Sequence, residues 1–266
     1  MSAAAADWSR HLGMCSVTMR AHTTAQVIEV ARGAGLPRIE WGADVHAPPG
    51  DQGHLAELRA RTTEAGLAVA SYGSYWRAGI SSPSEMTTLV EAANALGAPR
   101  IRLWAGQIGT AQADDDVWDS AVRSLREACA VAREHSITLA LEFHPNTLTD
   151  SVDSTLKLLE RVDDPTLRTY WQPRLDEPVE PAVDGLRRLL PVLAGVHVFS
   201  WWPAATRLPL AQRSDLWASV TALLMGEIEP CDLMLEFVPD DDAALIPGEA
   251  QTLRALMTAG RTTLGE

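Results

Sequence analysis

Two glutamates, one glutamine and one histidine stand at or next to the ends of four apolar runs in the second half of the chain. They are Glu142, Gln172, His197 and Glu236. Carboxylate, amide and imidazole groups together suit Mn²⁺, Mg²⁺, Co²⁺ or Zn²⁺, and a structural zinc site is disfavoured because no thiolate is expected nearby. These residues therefore predict a divalent-metal site, and manganese is the first choice of ion.

Alternation along the runs predicts which of these side chains share a cavity. In a barrel strand, successive side chains point alternately inward and outward. Bulky odd-numbered residues in 137–143 would face helices, so Thr138, Ala140 and Glu142 would point inward, and the same parity puts Glu236 inward. Since the carboxyl ends of barrel strands meet at one face, we expect two carboxylates to face one cavity.

The elements that must position these residues alternate along the whole chain, and no linker divides it. The β-rich runs predict strands at residues 12–17, 38–41, 68–72, 100–104, 138–143, 168–172, 195–199 and 233–237. Amphipathic segments predict helices at 25–34, 55–65, 84–96, 117–135, 152–161, 182–190, 216–225 and 248–257. Gly35, Gly66 and Gly97 each follow a periodic segment, where a helix end favours positive φ. The pattern predicts a single (β/α)8 TIM barrel domain over residues 1–266, because an open doubly wound sheet would need an early glycine-rich phosphate turn.

Composition narrows the partners and the compartment. A net charge of −13 argues against nucleic acid and anionic membranes as partners. The three scattered cysteines fit reduced thiols, and residues 2–6 lack the features of a secretory signal, so we expect a cytoplasmic protein. The nine tryptophans could serve as platforms for sugar rings or as ordinary core residues.

The sequence resembles the xylose-isomerase-like superfamily, often labelled sugar phosphate isomerase/epimerase, which also includes ketose 3-epimerases and endonuclease IV-type proteins. The likeness covers most of the chain and rests on residues 35–41, 139–144, 196–198, Arg207 and 235–237. It implies a metal site of Glu, Asp, His and Glu, whose two glutamates also exchange a proton with the substrate. Glu142, His197 and Glu236 match that set.

Two positions depart from the family pattern. Gln172 stands where the family has Asp, and Ser200 stands where many members have Asp three residues after the His. An amide keeps an oxygen donor but removes a negative charge. We therefore expect the metal to bind more weakly or to be more electrophilic, and the reaction could differ from simple epimerisation.

The predicted site suits removal of a proton next to a carbonyl group, a step that needs both a base and stabilisation of the developing oxyanion. We assign Glu142 and Glu236 as metal ligands with acid/base roles, and His144 as a second acid/base or a substrate contact. The further candidate substrate contacts are Glu40, His46, Trp104 and Arg207. His144 could instead cap the end of its strand, and Glu40 could instead orient a neighbour.

These assignments predict a metal-dependent isomerase or epimerase. Basic residues look scarce near the rim, which favours a small non-phosphorylated sugar or keto-sugar as substrate. A β-eliminating lyase or a keto-glycoside-cleaving enzyme could use the same site, and a non-catalytic sugar-binding barrel is the alternative if Gln172 marks loss of activity. A metal-dependent phosphodiesterase is disfavoured because it would need more His and Asp and a positive groove. Residues 201–203 could form a substrate lid or a contact between subunits of a homo-oligomer.

Overall fold

Eight parallel strands form the centre of the molecule in a computed structural model that describes residues 7–263. They are β1 (Leu12–Cys15), β2 (Arg38–Gly42), β3 (Ala68–Arg77), β4 (Arg100–Trp104), β5 (Thr138–Leu141), β6 (Leu167–Trp171), β7 (Leu193–Val198) and β10 (Asp232–Leu235). The short strands β8 (Ser200–Trp201) and β9 (Arg207–Leu208) pair separately and antiparallel. The segment 2–6, which bears on the absence of a secretory signal, lies outside the described residues.

The barrel closes in the order β1-β10-β7-β6-β5-β4-β3-β2, so strands that follow one another around the ring also follow one another in the chain. The helices between them are α1 (Thr24–Gly33), α2 (Gln52–Glu64), α3 (Pro83–Leu96), α4 (Asp115–Glu134), α5 (Val152–Val162), α6 (Val179–Leu189), α7 (Ser214–Glu227) and α8 (Ile246–Thr263). The predicted (β/α)8 barrel is confirmed. Within the described residues, no helix combines the length and the apolar character that a membrane crossing requires.

Local sequence sets where these helices begin and end, as α3 illustrates. The Ser82 side chain accepts a hydrogen bond from the Glu85 backbone, and the Glu85 side chain bonds back to the Ser82 backbone, which forms a capping box with Pro83 in the first turn. Gly97 ends the helix with φ of +72°. Gly35 and Gly66 also have positive φ, as predicted.

The interior of the barrel and its outer surface contain different side chains. The outward Leu233 and Leu235 belong to the large core that packs against the helices, whereas the inward Met234 packs with Cys15, Val17 and Ala70 in a small separate cluster. The predicted parity of the last strand therefore holds for Leu233 and Leu235, but Phe237, which the same parity would place outward, lines the cavity at the carboxyl end of the barrel because its backbone turns to a φ of +53° beyond the strand. The apolar layer inside the barrel is thin, and the inward positions above and below it are polar or charged.

Several strands differ in length from the prediction, and two of the differences affect the site. β5 ends at Leu141 and β10 at Leu235, so Glu142 and Glu236 each stand one residue beyond a strand. The Glu142 carbonyl accepts a hydrogen bond from the Thr149 hydroxyl, which ties it to the following loop rather than to the next strand. The predicted strand at 12–17 stops at Cys15, because a 3₁₀ turn starts at Ser16.

Candidate active site

A cavity of about 640 Å³ opens at the carboxyl ends of the barrel strands. Five of the predicted site residues line it: Trp104, Glu142, His144, Gln172 and Glu236. Two more, Glu40 and His197, are fully buried inside the barrel, where His197 contacts both Gln172 and Glu236. The active face predicted from the strand ends therefore brings seven of the predicted residues into one region.

His197 lies at the centre of the predicted metal-ligand group. Its Nδ1 is 3.0 Å from the Gln172 Oε1 atom and 3.4 Å from the Glu236 Oε2 atom. On the other side of the ring, Nε2 is 3.7 Å from the Glu40 Oε2 atom. The imidazole therefore connects the cavity side of the site to a buried carboxylate beneath it.

The two glutamates at this site have different electrostatic surroundings. Burial raises the pKa of Glu236 to about 7, and the nearby Glu142 carboxylate adds to the increase. Burial also opposes ionisation of Glu142, but the Arg102 guanidinium, together with further groups that include His197 and the Trp104 N–H, outweighs it and lowers the pKa of Glu142. Burial opposes protonation of His197, yet the carboxylates of Glu236 and Glu40 outweigh it and raise the pKa of His197 to about 9.

Arg102 is a buried cation that the sequence analysis missed. Its Nε donates to Glu40 Oε1 at 3.0 Å, and its Nη1 donates to Glu142 Oε2. The Ser71 hydroxyl donates to the other Glu40 oxygen at 2.6 Å. Burial alone would favour the protonated form of Glu40, but its contacts with Arg102, His197 and Ser71 hold its pKa far below the ordinary value. The signal was present in the sequence, because inward parity applied to residues 100–104 selects Arg100 and Arg102.

Trp104 contacts two of the predicted catalytic residues. Its indole Nε1–H donates to the Glu142 carboxylate, and its ring stacks on the His144 ring with centroids 4.9 Å apart. The Arg77 guanidinium covers an indole face at 3.9 Å from the ring centroid. Trp104 therefore fixes the orientation of Glu142 and His144 together.

Three residues singled out in the sequence have roles away from the cavity. His46 is buried, with its ring nitrogens 3.1 Å from the Ser16 hydroxyl and 2.9 Å from the His22 carbonyl oxygen. Arg207 pairs with Asp241 and lies over the Phe237 ring at 4.9 Å. Neither side chain is part of the cavity lining. Ser200 accepts a hydrogen bond from the Trp217 indole and is buried.

The cavity walls differ in character. Phe199, Trp201 and Phe237 form an aromatic wall, with ring centroids between 5.0 and 6.1 Å apart. Arg20 and Arg174 also line the cavity, together with Arg102. The expected scarcity of basic residues near the rim was therefore wrong, because arginines in the strands and loops converge at the rim from segments far apart in sequence.

The donor atoms around His197 fit a divalent cation. Within the part of the chain that the structure describes, Glu236 Oε2, on the cavity side of His197, is buried without a hydrogen-bond partner. Such groups are costly to bury unless they are satisfied. Gln172 Oε1, His197 Nδ1 and Glu236 Oε2 converge at short range, and Glu142 lines the same cavity. Together they supply the oxygen and nitrogen donors that such an ion takes.

A second grouping lies deeper in the barrel. Ligand atoms of Cys15, Glu40 and His197 all lie within 4.8 Å of one another, so the expectation that no thiol stands near the site was wrong. Burial raises the pKa of the Cys15 thiol well above its ordinary value, and both Glu40 oxygens already accept hydrogen bonds. We therefore place the candidate metal centre on the cavity side of His197.

The chain belongs to the xylose isomerase-like TIM barrel family, whose model matches residues 28–173, more than half of the sequence. A curated relative, 3-dehydroshikimate dehydratase from Bacillus anthracis, is 35% identical over 104 residues. These residues are 37% of this chain and 35% of that relative, so the match spans about a third of the relative's length.

Solved structures of the same fold include both dehydratase and epimerase proteins. The probable 3-DHS dehydratase involved in petrobactin synthesis from Bacillus anthracis has a TM-score of 0.76 at 20% identity, over 91% of this chain and 98% of that one. An L-ribulose 3-epimerase has a TM-score of 0.71 at 18% identity, over 95% and 96%. A xylose isomerase-like TIM barrel protein from Mycobacterium smegmatis, in complex with magnesium, has a TM-score of 0.67 at 18% identity, over 89% and 88%. At these identities the likeness shows the shared fold.

Proposed function

We propose that this chain is a divalent-metal-dependent lyase that removes a proton next to a carbonyl group and then expels a β-hydroxyl group from a small sugar-like ring. The observation that carries the proposal is the double hydrogen bond from Arg102 and Trp104 to Glu142. Because both donors hold this carboxylate as an anion, Glu142 is poorly placed to exchange protons. That leaves the cavity with fewer proton carriers than two-glutamate epimerisation requires.

His144 is the residue best prepared to act as the base. Its Nδ1 lies 2.6 Å from the Pro145 carbonyl oxygen, and a carbonyl can only accept a hydrogen bond. Nδ1 therefore carries the proton in the neutral ring, and Nε2 has a free lone pair. The ring lines the cavity and is held in place by its stack on Trp104. This is the tautomer that a general base needs.

With Glu142 held as an anion and Glu236 assigned to the metal, His144 is the proton carrier that remains, and one carrier on one face suits elimination. His144 Nε2 would take the proton as the C–H bond breaks, and the electron pair would form the new C=C bond. As the C–O bond to the β-hydroxyl breaks, the imidazolium would return that proton to the leaving oxygen, which departs as water. Epimerisation would instead need a second group to deliver a proton to the opposite face.

The candidate metal ligands are Glu142, Gln172, His197 and Glu236, and manganese is the ion we propose first. When bound there, a divalent ion would supply Lewis-acid stabilisation of negative charge on the substrate carbonyl oxygen. The protein of the same fold that was solved in complex with magnesium supports the choice of a divalent metal. Glu40 and Arg102 would keep His197 and Glu142 oriented beneath it.

The dehydratase relative supports the choice of reaction, and the cavity supports the size of the substrate. A space of about 640 Å³ with an aromatic wall on one side and polar groups on the other suits a single hydroxylated ring. The second candidate function is an epimerase or isomerase. It is favoured by the presence of both Glu142 and Glu236 in the cavity lining and by the epimerase of the same fold.

The test is to incubate the manganese-loaded protein in D₂O with 3-dehydroshikimate, keto-sugars and keto-glycosides, and to follow product mass and ultraviolet absorbance. We expect loss of water and a new conjugated chromophore from at least one substrate. His144→Gln should abolish this activity and keep the bound metal, whereas His135→Gln, an exposed control on the surface, should retain both. Deuterium uptake without loss of water would favour the isomerase or epimerase. Binding of the ring without either change would favour a sugar-binding barrel.

A further inference from the structure

A second cavity, of about 450 Å³, opens at the amino-terminal end of the barrel, away from the site described above. We call the charged and titratable residues that line it the lower cluster: His11, Arg38, Arg100, Arg168, Glu229 and Asp232. The four residues of this cluster that lie on strands each precede an upper residue by two or four positions, as Arg38 precedes Glu40, so their side chains also point into the barrel. The cluster is therefore the bottom layer of the barrel interior.

One carboxylate in the lower cluster is surrounded by an excess of cations. Asp232 is buried, and its Oδ2 atom accepts a hydrogen bond from Arg100 Nη2 at 2.8 Å. Arg38 Nε lies 3.4 Å from the Asp232 Oδ1 atom. His11 Nδ1 is 3.1 Å from the same Oδ1 atom. Arg168 has no contact with Asp232 and donates instead to the Pro191 carbonyl oxygen at 3.1 Å. Three arginines stand against two carboxylates in this cavity, the buried Asp232 and Glu229, so positive charge is in excess by one although the chain as a whole carries −13.

Several guanidinium nitrogens of this cluster have no protein acceptor. Arg38 makes its contacts with Asp232 and with the Arg10 carbonyl oxygen through Nε alone. Among the described residues, its two terminal nitrogens therefore have no hydrogen bond. The side chain of Arg38 is partly exposed, and so is that of Arg168. Guanidinium groups with free N–H donors match the oxygens of phosphate and carboxylate groups.

We propose that the lower cluster is a binding site for a small oxyanion, held mainly by Arg38 and Arg168 with Arg100 behind them. Asp232 needs only Arg100, His11 and Arg38 to be satisfied, so the charge of Arg168 serves no partner of its own. The anionic oxygens could belong to a phosphate or to a small polycarboxylate. Because catalysis in such barrels takes place at the opposite end, the bound anion would stabilise the fold without competing with substrate.

The experiment measures the melting temperature and the heat of binding of the whole chain with inorganic phosphate and, separately, with citrate. Chloride at the same ionic strength is the control for general screening. We expect a saturable rise of about 2–4 °C or more with at least one of the two anions, because a ligand that binds only the folded state stabilises it. The anion with the lower dissociation constant, phosphate or citrate, indicates whether the site prefers phosphate or carboxylate oxygens.

Matched variants locate the site. Arg168→Gln should weaken anion binding by about tenfold or more, and it should fold normally because its only described hydrogen bond is to the Pro191 carbonyl oxygen. Arg187→Gln, an exposed arginine paired with Glu227 on the surface, should bind as the wild type does. Glu236→Gln, at the other end of the barrel, should also leave anion binding unchanged.

Three results would overturn the proposal: no saturable effect of either anion, an equal effect of chloride, or full retention of binding in Arg168→Gln. Loss of binding in Glu236→Gln would also overturn it, since the anion would then occupy the upper cavity.

Discussion

The two ends of the barrel interior hold opposite arrangements of charge. At the carboxyl end, the three carboxylates of Glu40, Glu142 and Glu236 surround the guanidinium of Arg102. At the amino end, Arg38 and Arg100 approach the carboxylate of Asp232, and Arg168 lines the same cavity. At the upper end Arg102 is buried while Glu142 and Glu236 line a cavity, and at the lower end Asp232 is buried while the three arginines line one. The majority therefore predicts the sign of the ligand: a cation for the upper end and an anion for the lower one.

The two arrangements show how buried charges can be stable in this fold. Taking a charge out of water costs several kcal/mol unless partners compensate it. Arg102 has two carboxylate partners, and Asp232 has two arginine partners and a contact from His11, so each minority charge is satisfied. Glu236 Oε2 and the terminal nitrogens of Arg38 have no hydrogen-bond partner among the described residues, and both side chains line a cavity where a bound ion can complete the arrangement.

The largest expected effect comes from removing either minority charge. Arg102→Met leaves Glu40 and Glu142 facing each other, and Asp232→Asn leaves the arginines uncompensated. We expect each substitution to lower the free energy of unfolding by about 3–5 kcal/mol, measured by urea denaturation. If the two ends bind ions of opposite sign, manganese should restore part of the stability lost in Arg102→Met, and phosphate should restore part of the stability lost in Asp232→Asn. Rescue of both variants by the same ion would contradict the assignment of a cation to one end and an anion to the other.

A smaller effect is expected from Trp104→Phe, which keeps an aromatic ring beside His144 but removes the N–H donor to Glu142. Turnover should fall by about 10–100-fold, as it does when a group that orients a metal ligand is lost. The measurement is kcat together with the manganese dissociation constant. Arg168→Gln, at the lower end, serves as the control and should leave kcat unchanged. Unaltered kcat in Trp104→Phe would show that the hydrogen bond has no positioning role.

Restoring the carboxylate at position 172 should strengthen cation binding at the upper end. Gln172→Asp adds a negative charge 3.0 Å or so from the present position of His197 Nδ1. We expect manganese to bind about tenfold more tightly, which is about 1.4 kcal/mol. Isothermal titration of the metal-free protein measures this, and Gln112→Asp elsewhere on the cavity wall is the control. Equal affinity in wild type and Gln172→Asp would remove position 172 from the ligand set.

The smallest expected effect is a pH dependence that separates the two ends in the metal-free protein. The pKa of His197 in the folded protein, about 9, lies above its ordinary value of 6.5. Its contribution to folding stability is therefore complete below pH 6.5 and is lost as the pH rises through 9. Glu236, raised to about 7, changes stability in the same direction between pH 4.5 and 7. His11 and Arg100 outweigh burial and lower the pKa of Asp232, so the lower end loses stability as pH falls below 3.8.

These opposite trends should each be on the order of 1 kcal/mol. Denaturation of the metal-free wild type between pH 6.5 and 9, repeated with His197→Gln, measures the upper contribution. A stability that is flat or rising with pH in the wild type would contradict the assignment of His197 as a cation in the metal-free state.

Inward parity in the sequence predicted the upper carboxylates, because Glu142 and Glu236 follow strands whose outward residues are plainly apolar. The same rule was not applied to Arg38, Arg100 and Arg102, since arginines in a strand read as solvated residues until the barrel closes around them. The ends of β5 and β10 were each predicted two residues too late, because the loops that begin there are held by contacts such as Thr149 to the Glu142 carbonyl.

Loop residues were the least predictable part of the site. His46 and Arg207 stand near predicted strand ends, yet their partners, Ser16 with His22 and Asp241, come from other loops. Sequence periodicity fixes neither those contacts nor the convergence of Arg20 and Arg174 at the rim. Side-chain parity along strands is therefore the reliable guide in this fold, and proximity to a strand end is a weaker one.

The central claim is that the upper end of the barrel holds a divalent cation through Glu142, Gln172, His197 and Glu236. The most direct measurement is elemental analysis of the chain after incubation with manganese and gel filtration, with Glu236→Ala and Arg168→Gln prepared alongside. The account predicts about one manganese ion per chain in the wild type and in Arg168→Gln, and little or none in Glu236→Ala. A wild type without metal, or a Glu236→Ala variant that retains it, would contradict the account.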